Sequence, residues 1–121
     1  MLHFDNILKR LTFNAIGLEN VGLDVFVKEK LPFLQTLFPP IFVNIYGTSM
    51  EEYAELAARV DELEAIAGVE VNISCPNVKA GGIAFGADPN SAFDVVEAVR
   101  EKTSKQLIVK LSPNVTDITI I

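Results

Sequence analysis

Three short apolar runs set the terms of this chain: Ile41-Phe42-Val43-Asn44-Ile45-Tyr46, Val69 to Ser74, and Leu107-Ile108-Val109-Lys110-Leu111. Each has strand length, and the intervals between them are far too long for hairpin turns. The intervals are patterned for helices instead. Ser49 with Glu52 forms a capping box, and Tyr53, Leu56, Ala57, Val60, Leu63 and Ala67 recur along one stripe of a helix expected from about Met50 to Ala67, ended by Gly68. Asp88-Pro89 reads as an N-cap followed by proline at the first helical position. Ala92, Val96 and Val99 mark the buried face of the helix it opens. Ahead of the first run, Leu23, Phe26, Val27, Leu31, Leu34 and Phe38 have helical spacing, which Pro32 is expected to split in two and Pro39-Pro40 to stop.

Strands that alternate with helices imply βαβ units, a parallel sheet and right-handed crossovers. Near-continuous apolar runs fit strands buried on both faces. A doubly wound sheet and a (β/α)8 barrel both satisfy this order. A barrel needs about 250 residues, so 121 residues would supply about three consecutive βα units, less than half of one.

Each run carries a polar residue at its fourth position: Asn44, Asn72 and Lys110. Hydrophobic patterning gives no reason for them. At the carboxyl ends of neighbouring parallel strands they would lie together, where both candidate folds bind ligands. Two amides and an ammonium suit a polar, planar, anionic ligand, and a buried lysine without one is costly. The plainer alternatives are an asparagine that satisfies backbone groups, a lysine that snorkels to water, and a cysteine that serves as a small core residue. The second run leads into Cys75-Pro76-Asn77, a loop holding the chain's single cysteine and followed by Gly81, Gly82 and Gly86. No dinucleotide or Walker-type glycine motif is present. One histidine, His3, near the N-terminus makes a histidine-ligated metal site or a Cys–His pair an unpromising reading.

Half of the residues are apolar, enough for a core, and the net charge is −6. That balance argues against a nucleic-acid partner, whose phosphates call for a basic surface. No apolar run approaches the ~20 residues of a membrane span, and the start of the chain lacks a signal-peptide pattern. One cysteine cannot form an internal disulfide. A cytoplasmic protein is expected.

Asn72-Ile73-Ser74-Cys75-Pro76-Asn77, then Val78-Lys79-Ala80-Gly81-Gly82 and Phe85-Gly86, resembles the active-site loop of the dihydroorotate dehydrogenase family. The likeness is to its cysteine-containing bacterial form. Asn14-Ala15-Ile16-Gly17-Leu18 with Asn20 is similar to that family's substrate loop, and Val109-Lys110-Leu111-Ser112-Pro113-Asn114 to one of its flavin-binding strands. The motifs occur in the family's order, from about Leu11 onward. The resemblance implies that residues 1–121 form part of a (β/α)8 barrel that binds FMN at the carboxyl ends of its strands. It implies Cys75 as the catalytic base, with Asn14, Asn72, Asn77 and the main chain near Gly17 and Leu18 holding dihydroorotate or orotate. It implies Asn44, Asn72 and Lys110 as flavin contacts, with no metal on this chain. A homodimer is implied, with a separate electron-transfer subunit carrying FAD and a 2Fe-2S cluster and linking to NAD.

Tyr46 departs from the pattern by standing where a small residue is expected. An earlier flavin-binding strand and the later strands that hold the FMN phosphate are expected to lie outside this stretch. Two other readings of the residues stay open: a flavin barrel for a different reduced pyrimidine, and a non-catalytic αβ binding module.

Overall fold

The computed structural model describes residues 20–74 and 85–121. Asn14, Gly17, Leu18, Cys75 and Asn77, together with Gly81 and Gly82, lie outside the described residues. Three strands, β1 (Ile41–Ile45), β2 (Ile66–Asn72) and β3 (Gln106–Lys110), form one sheet in chain order. Both pairings are parallel. Helix α2 (Met50–Asp61) connects the first two strands and α3 (Pro89–Lys102) the last two. A helical segment, α1, precedes β1 in three contiguous stretches: Leu23–Val25, a π-helical Phe26–Lys30, and Leu31–Leu34. These are consecutive βα units, an open arc of the sheet that a (β/α)8 barrel closes.

Pro32 does not split α1 into separate helices. The residues just before it take the wider π pattern, in which the Leu31 N–H reaches back to the Phe26 carbonyl, and Pro32 sits in the first turn of the last stretch. A proline is tolerated there because it has no N–H to leave unpaired. The segment ends at Leu34, and Phe38 is fully exposed rather than part of a buried stripe.

The expected boundary between α2 and β2 moves by several residues. The helix stops at Asp61 instead of Ala67, and the strand begins at Ile66 instead of Val69. Two tight turns, Leu63 N–H to Val60 O and Ile66 N–H to Leu63 O, carry the chain round. Lys105 caps this corner, its Nζ donating to the Leu63 and Ile66 carbonyls at 3.0 and 2.9 Å. A charged donor shared between two turn carbonyls makes a stronger hydrogen bond than a neutral one would. Asp61 accepts from the Thr103 hydroxyl at 2.6 Å and the Ser104 N–H at 2.9 Å. Those donors hold its carboxyl below the ordinary range, the Thr103 hydroxyl most strongly.

Gly68 is therefore not a helix stop but a strand residue, and packing explains it. A Cβ there would lie 2.2 Å from the nearest carbon of the Phe42 ring and 2.9 Å from the Gln106 carbonyl oxygen. Ala67 is exposed and marks an irregularity: Ile41 pairs with Ile66, but Phe42 pairs with Gly68. One extra residue on β2 is the signature of a bulge.

Side chains alternate across a strand, so the register sorts the sheet into two faces. Val43, Ile45, Val69, Val71, Leu107 and Val109 belong to the apolar core that α2 and α3 complete with Tyr53, Ala57, Val60, Ala92, Val95 and Val99. Val95, not Val96, is the middle buried residue of α3. The second face carries Phe42, Asn44, Gly68, Glu70, Asn72, Gln106, Ile108 and Lys110. No described element covers it, and Phe42 and Ile108 are 42% and 46% exposed. On this face β1 and β3 are thus exposed, whereas Gly68 and Asn72 of the central strand are buried.

Two outcomes follow from this packing. Gly68→Ala is expected to destabilise the fold by about 1–3 kcal/mol, as overpacked sites do, and adding Phe42→Ala should recover part of the loss in urea titrations. Asp61→Asn should lower the melting temperature at neutral pH. The Asp61 carboxyl is depressed in the folded state, so its stabilisation is present above its unfolded pKa of about 4. It is lost as the pH falls through the lower folded value, and the gap between wild type and variant should close in that acid range.

Candidate active site

The carboxyl end of the sheet is built around Asn72, the last residue of β2, which is 4% exposed. Its main-chain carbonyl accepts a 2.7 Å hydrogen bond from the Tyr53 hydroxyl of α2. Its side-chain Oδ1 accepts from the Ser74 N–H at 3.2 Å and the Ser74 hydroxyl at 2.7 Å. Asparagine commonly folds back on the backbone two residues ahead to make such a turn. The turn directs the chain out of the strand immediately before Cys75.

Tyr53 is fully buried and serves as a hub. Tyr46 meets it edge-on at 6.3 Å and 76°, and Phe85 at 5.8 Å and 89°, the T-shaped arrangement that aromatic quadrupoles favour. Tyr46, the residue departing from the family pattern, is thus packed against α2. Gly47 makes the bend after β1 possible, because a Cβ there would lie 3.0 Å from both Glu52 Cβ and the Tyr53 nitrogen. The Ser49 cap is seen as expected, with its Oγ accepting the Glu52 N–H at 3.3 Å. The reciprocal arm goes chiefly one residue further: the Glu52 carboxylate takes the Thr48 N–H at 2.6 Å and hydroxyl at 2.8 Å, which lowers its pKa.

The chain returns to the sheet at Phe85–Ala87, a short 3-10 turn. Gly86 is buried there, so close to the Ile73 carbonyl oxygen that a Cβ would collide with it. That imagined Cβ would also lie 3.5 Å from Ser112, a buried residue in the loop after β3. The Ser112 hydroxyl accepts the Asn114 N–H at 3.2 Å. The loops following β2 and β3 are in this way packed together at one end of the sheet.

Asn72 and Lys110 are registered partners on β2 and β3, so their side chains emerge side by side on the uncovered face. Lys110 has no ion-pair partner among the described residues. Asn44 shares the face but not the level. It stands opposite Glu70, one step below Asn72 along the strand, and its Nδ2 donates to Glu70 Oε1 at 2.5 Å. Counting residues from the start of each apolar run placed all three level, but β2 begins at Ile66, so Val69 lies opposite Val43 rather than Ile41 and the count from Val69 runs two residues ahead of β1. Glu70, which that count skips, is the residue level with Asn44. A glutamate between Val69 and Val71 was the available signal, since a carboxylate inside an apolar strand calls for a partner.

The donor set fits a flavin ring in chemical type. Amides can match the donors and acceptors of its pyrimidine edge, and an ammonium suits the negative charge that reduction places there. Among the described residues no group of three or more His, Cys, Asp or Glu could hold a metal ion. Nor does any described helix have the length and apolarity to cross a membrane.

The family model for dihydroorotate dehydrogenase matches residues 5–121. The chain is 65% identical over 105 residues to the catalytic subunit of dihydroorotate dehydrogenase B (NAD(+)) from Geotalea uraniireducens, covering 87% of this chain and 34% of the relative. The same coverage holds for that subunit in Geotalea daltonii, at 65% identity, and in Geobacter sulfurreducens, at 64%. The chain thus spans about a third of the length of the curated relatives it matches. Its parallel βα arc, the polar carboxyl end of that arc and the match over nearly all of its residues place this chain in the dihydroorotate dehydrogenase family.

Proposed function

We propose that this chain is part of the catalytic barrel of a cytoplasmic, FMN-dependent enzyme that oxidises dihydroorotate to orotate in pyrimidine synthesis. The observation that carries the reading is the placement of Asn44, Asn72 and Lys110 on one uncovered face, toward the carboxyl end of a parallel sheet. The relatives' names, which specify a catalytic subunit and NAD(+), support a separate electron-transfer subunit, and FAD and a 2Fe-2S cluster on that subunit belong to the same proposal. A homodimer of the catalytic subunit completes the assembly.

Oxidation removes a proton from C5 of dihydroorotate and a hydride from C6, leaving a double bond between them. Bound FMN supplies the hydride acceptor. Cys75 takes the C5 proton as its thiolate. A thiol has an ordinary pKa of about 8.5, so a usable fraction is ionised at mildly alkaline pH. In support, Cys75 follows in sequence directly on the turn that Asn72 makes with Ser74 at the end of β2. Asn72, Asn77, Asn14 and the main chain at Gly17 and Leu18 orient the pyrimidine and its carboxylate. Asn44, Asn72 and Lys110 hold the flavin ring, Lys110 offsetting the negative charge that gathers there.

In the complete catalytic subunit, Cys75→Ala is expected to lower dihydroorotate turnover about a hundredfold or more, the usual contribution of a general base, with FMN still bound. Cys75→Ser should be slow and regain rate at high pH, and wild-type turnover should rise through the thiol range. Near-normal turnover in Cys75→Ala would overturn the assignment. The 121-residue chain alone, with one sheet face uncovered, is expected not to retain FMN. Stoichiometric yellow flavin after gel filtration would contradict that.

A further inference from the structure

Asn44 does not face the site alone. Its side-chain Nδ2 donates a 2.5 Å hydrogen bond to Glu70 Oε1, on the residue registered opposite it on β2. An asparagine amide has two ends of nearly equal shape and opposite hydrogen-bonding sense, and an ionised carboxylate can only accept. Glu70 therefore selects one orientation. The NH2 of Asn44 turns toward the carboxylate, and Oδ1, an acceptor, turns away from it. The bond spans two strands on the uncovered face, where Gly68 and Ile108 adjoin Glu70 along the strand and across the ladder. No other described side chain is hydrogen-bonded to either partner.

We propose that Glu70 is a positioning residue for the flavin site, holding the Asn44 amide so that it offers Oδ1 to a ring N–H of the bound flavin. This rests on the assignment of Asn44 to the flavin given above. The conserved shape of the amide makes the orientation matter: turned over, Asn44 would offer a donor where the ligand also has a donor. Two donors face to face lose a hydrogen bond and leave both groups unpaired. Glu70 touches neither flavin nor substrate in this scheme and acts only through Asn44.

The test uses the complete catalytic subunit, stripped of flavin and titrated with FMN, reading both the Kd and the visible absorption band of the bound flavin. Glu70→Met removes the acceptor and nearly keeps the volume, and Glu70→Ala removes both. Each should weaken FMN binding on the order of tenfold, the scale for a hydrogen bond to a charged group, and shift the band. Glu70→Gln keeps a carbonyl acceptor and should restore both readouts. In an Asn44→Ala background none of the three should change either one, because a residue that acts through another adds nothing once that residue is gone. Wild-type affinity and spectrum in Glu70→Met or Glu70→Ala would overturn the inference and leave the flavin assignment standing. Losses that add to that of Asn44→Ala would do the same. A wild-type subunit that takes up no FMN would overturn both.

Discussion

The hydrogen bond from the Tyr53 hydroxyl to the Asn72 carbonyl joins the helix layer to the carboxyl end of the sheet. It is buried, 2.7 Å long, and links residues nineteen apart in sequence. A carbonyl at the end of a strand needs an acceptor's partner if water is excluded, and Tyr53 supplies it from α2. The same ring receives Tyr46 from the end of β1 and Phe85 from the chain returning after β2. Three segments leaving or entering the carboxyl end thus converge on one side chain. Displacing Tyr53 would loosen the Asn72 turn, and with it the direction in which the chain departs toward Cys75.

Much of this architecture was legible in the residues. Alternation of apolar runs with amphipathic stretches made a parallel βαβ arrangement the economical reading, and the sheet has that order and direction. The boundaries were less legible. A periodic stripe from Tyr53 to Ala67 suggested one long helix, because Leu63 and Ala67 keep the spacing even after the helix has ended. What stops α2 is tertiary: Lys105, about forty residues away, caps the corner carbonyls, and the Thr103–Ser104 segment binds Asp61. Gly68 looked like a helix stop for want of any sign that the Phe42 ring needed its space.

The candidate site was readable to the same depth. Asn72 and Lys110 are neighbours, as equal positions in parallel strands suggested. Asn44 is offset because β2 starts at Ile66, ahead of the apolar run from Val69, so Val69 lies opposite Val43 and not Ile41. Glu70 escaped notice because a single charge in a strand reads as a solvent-facing position, whereas here it is half-buried and paired with Asn44. Cys75 stood out in the sequence as the single cysteine just after an apolar run, whereas Asn14, Gly17, Leu18 and Asn77 were named as site residues through resemblance alone, and all five lie outside the described residues.

The uncovered face changes character along its length. At the amino ends of the strands, Phe42 lies across Gly68 beside Gln106. One level on come Asn44, Glu70 and Ile108, and at the carboxyl ends Asn72 and Lys110. The polar groups at the amino-terminal corner, Asp61, Thr103, Ser104 and Lys105, satisfy one another or backbone carbonyls. Their bonding holds the fold and leaves little to offer a ligand. Toward the carboxyl end the balance reverses, with Lys110 lacking an ion-pair partner among the described residues and Asn44 keeping its carbonyl oxygen turned from Glu70. The same strands therefore carry mutually satisfied polar groups at one end and, at the other, the groups proposed above to bind a ligand. A mutation at Gly68 should be read in melting curves, one at Asn72 or Lys110 in ligand binding, and Glu70 lies at the level where the two begin to mix.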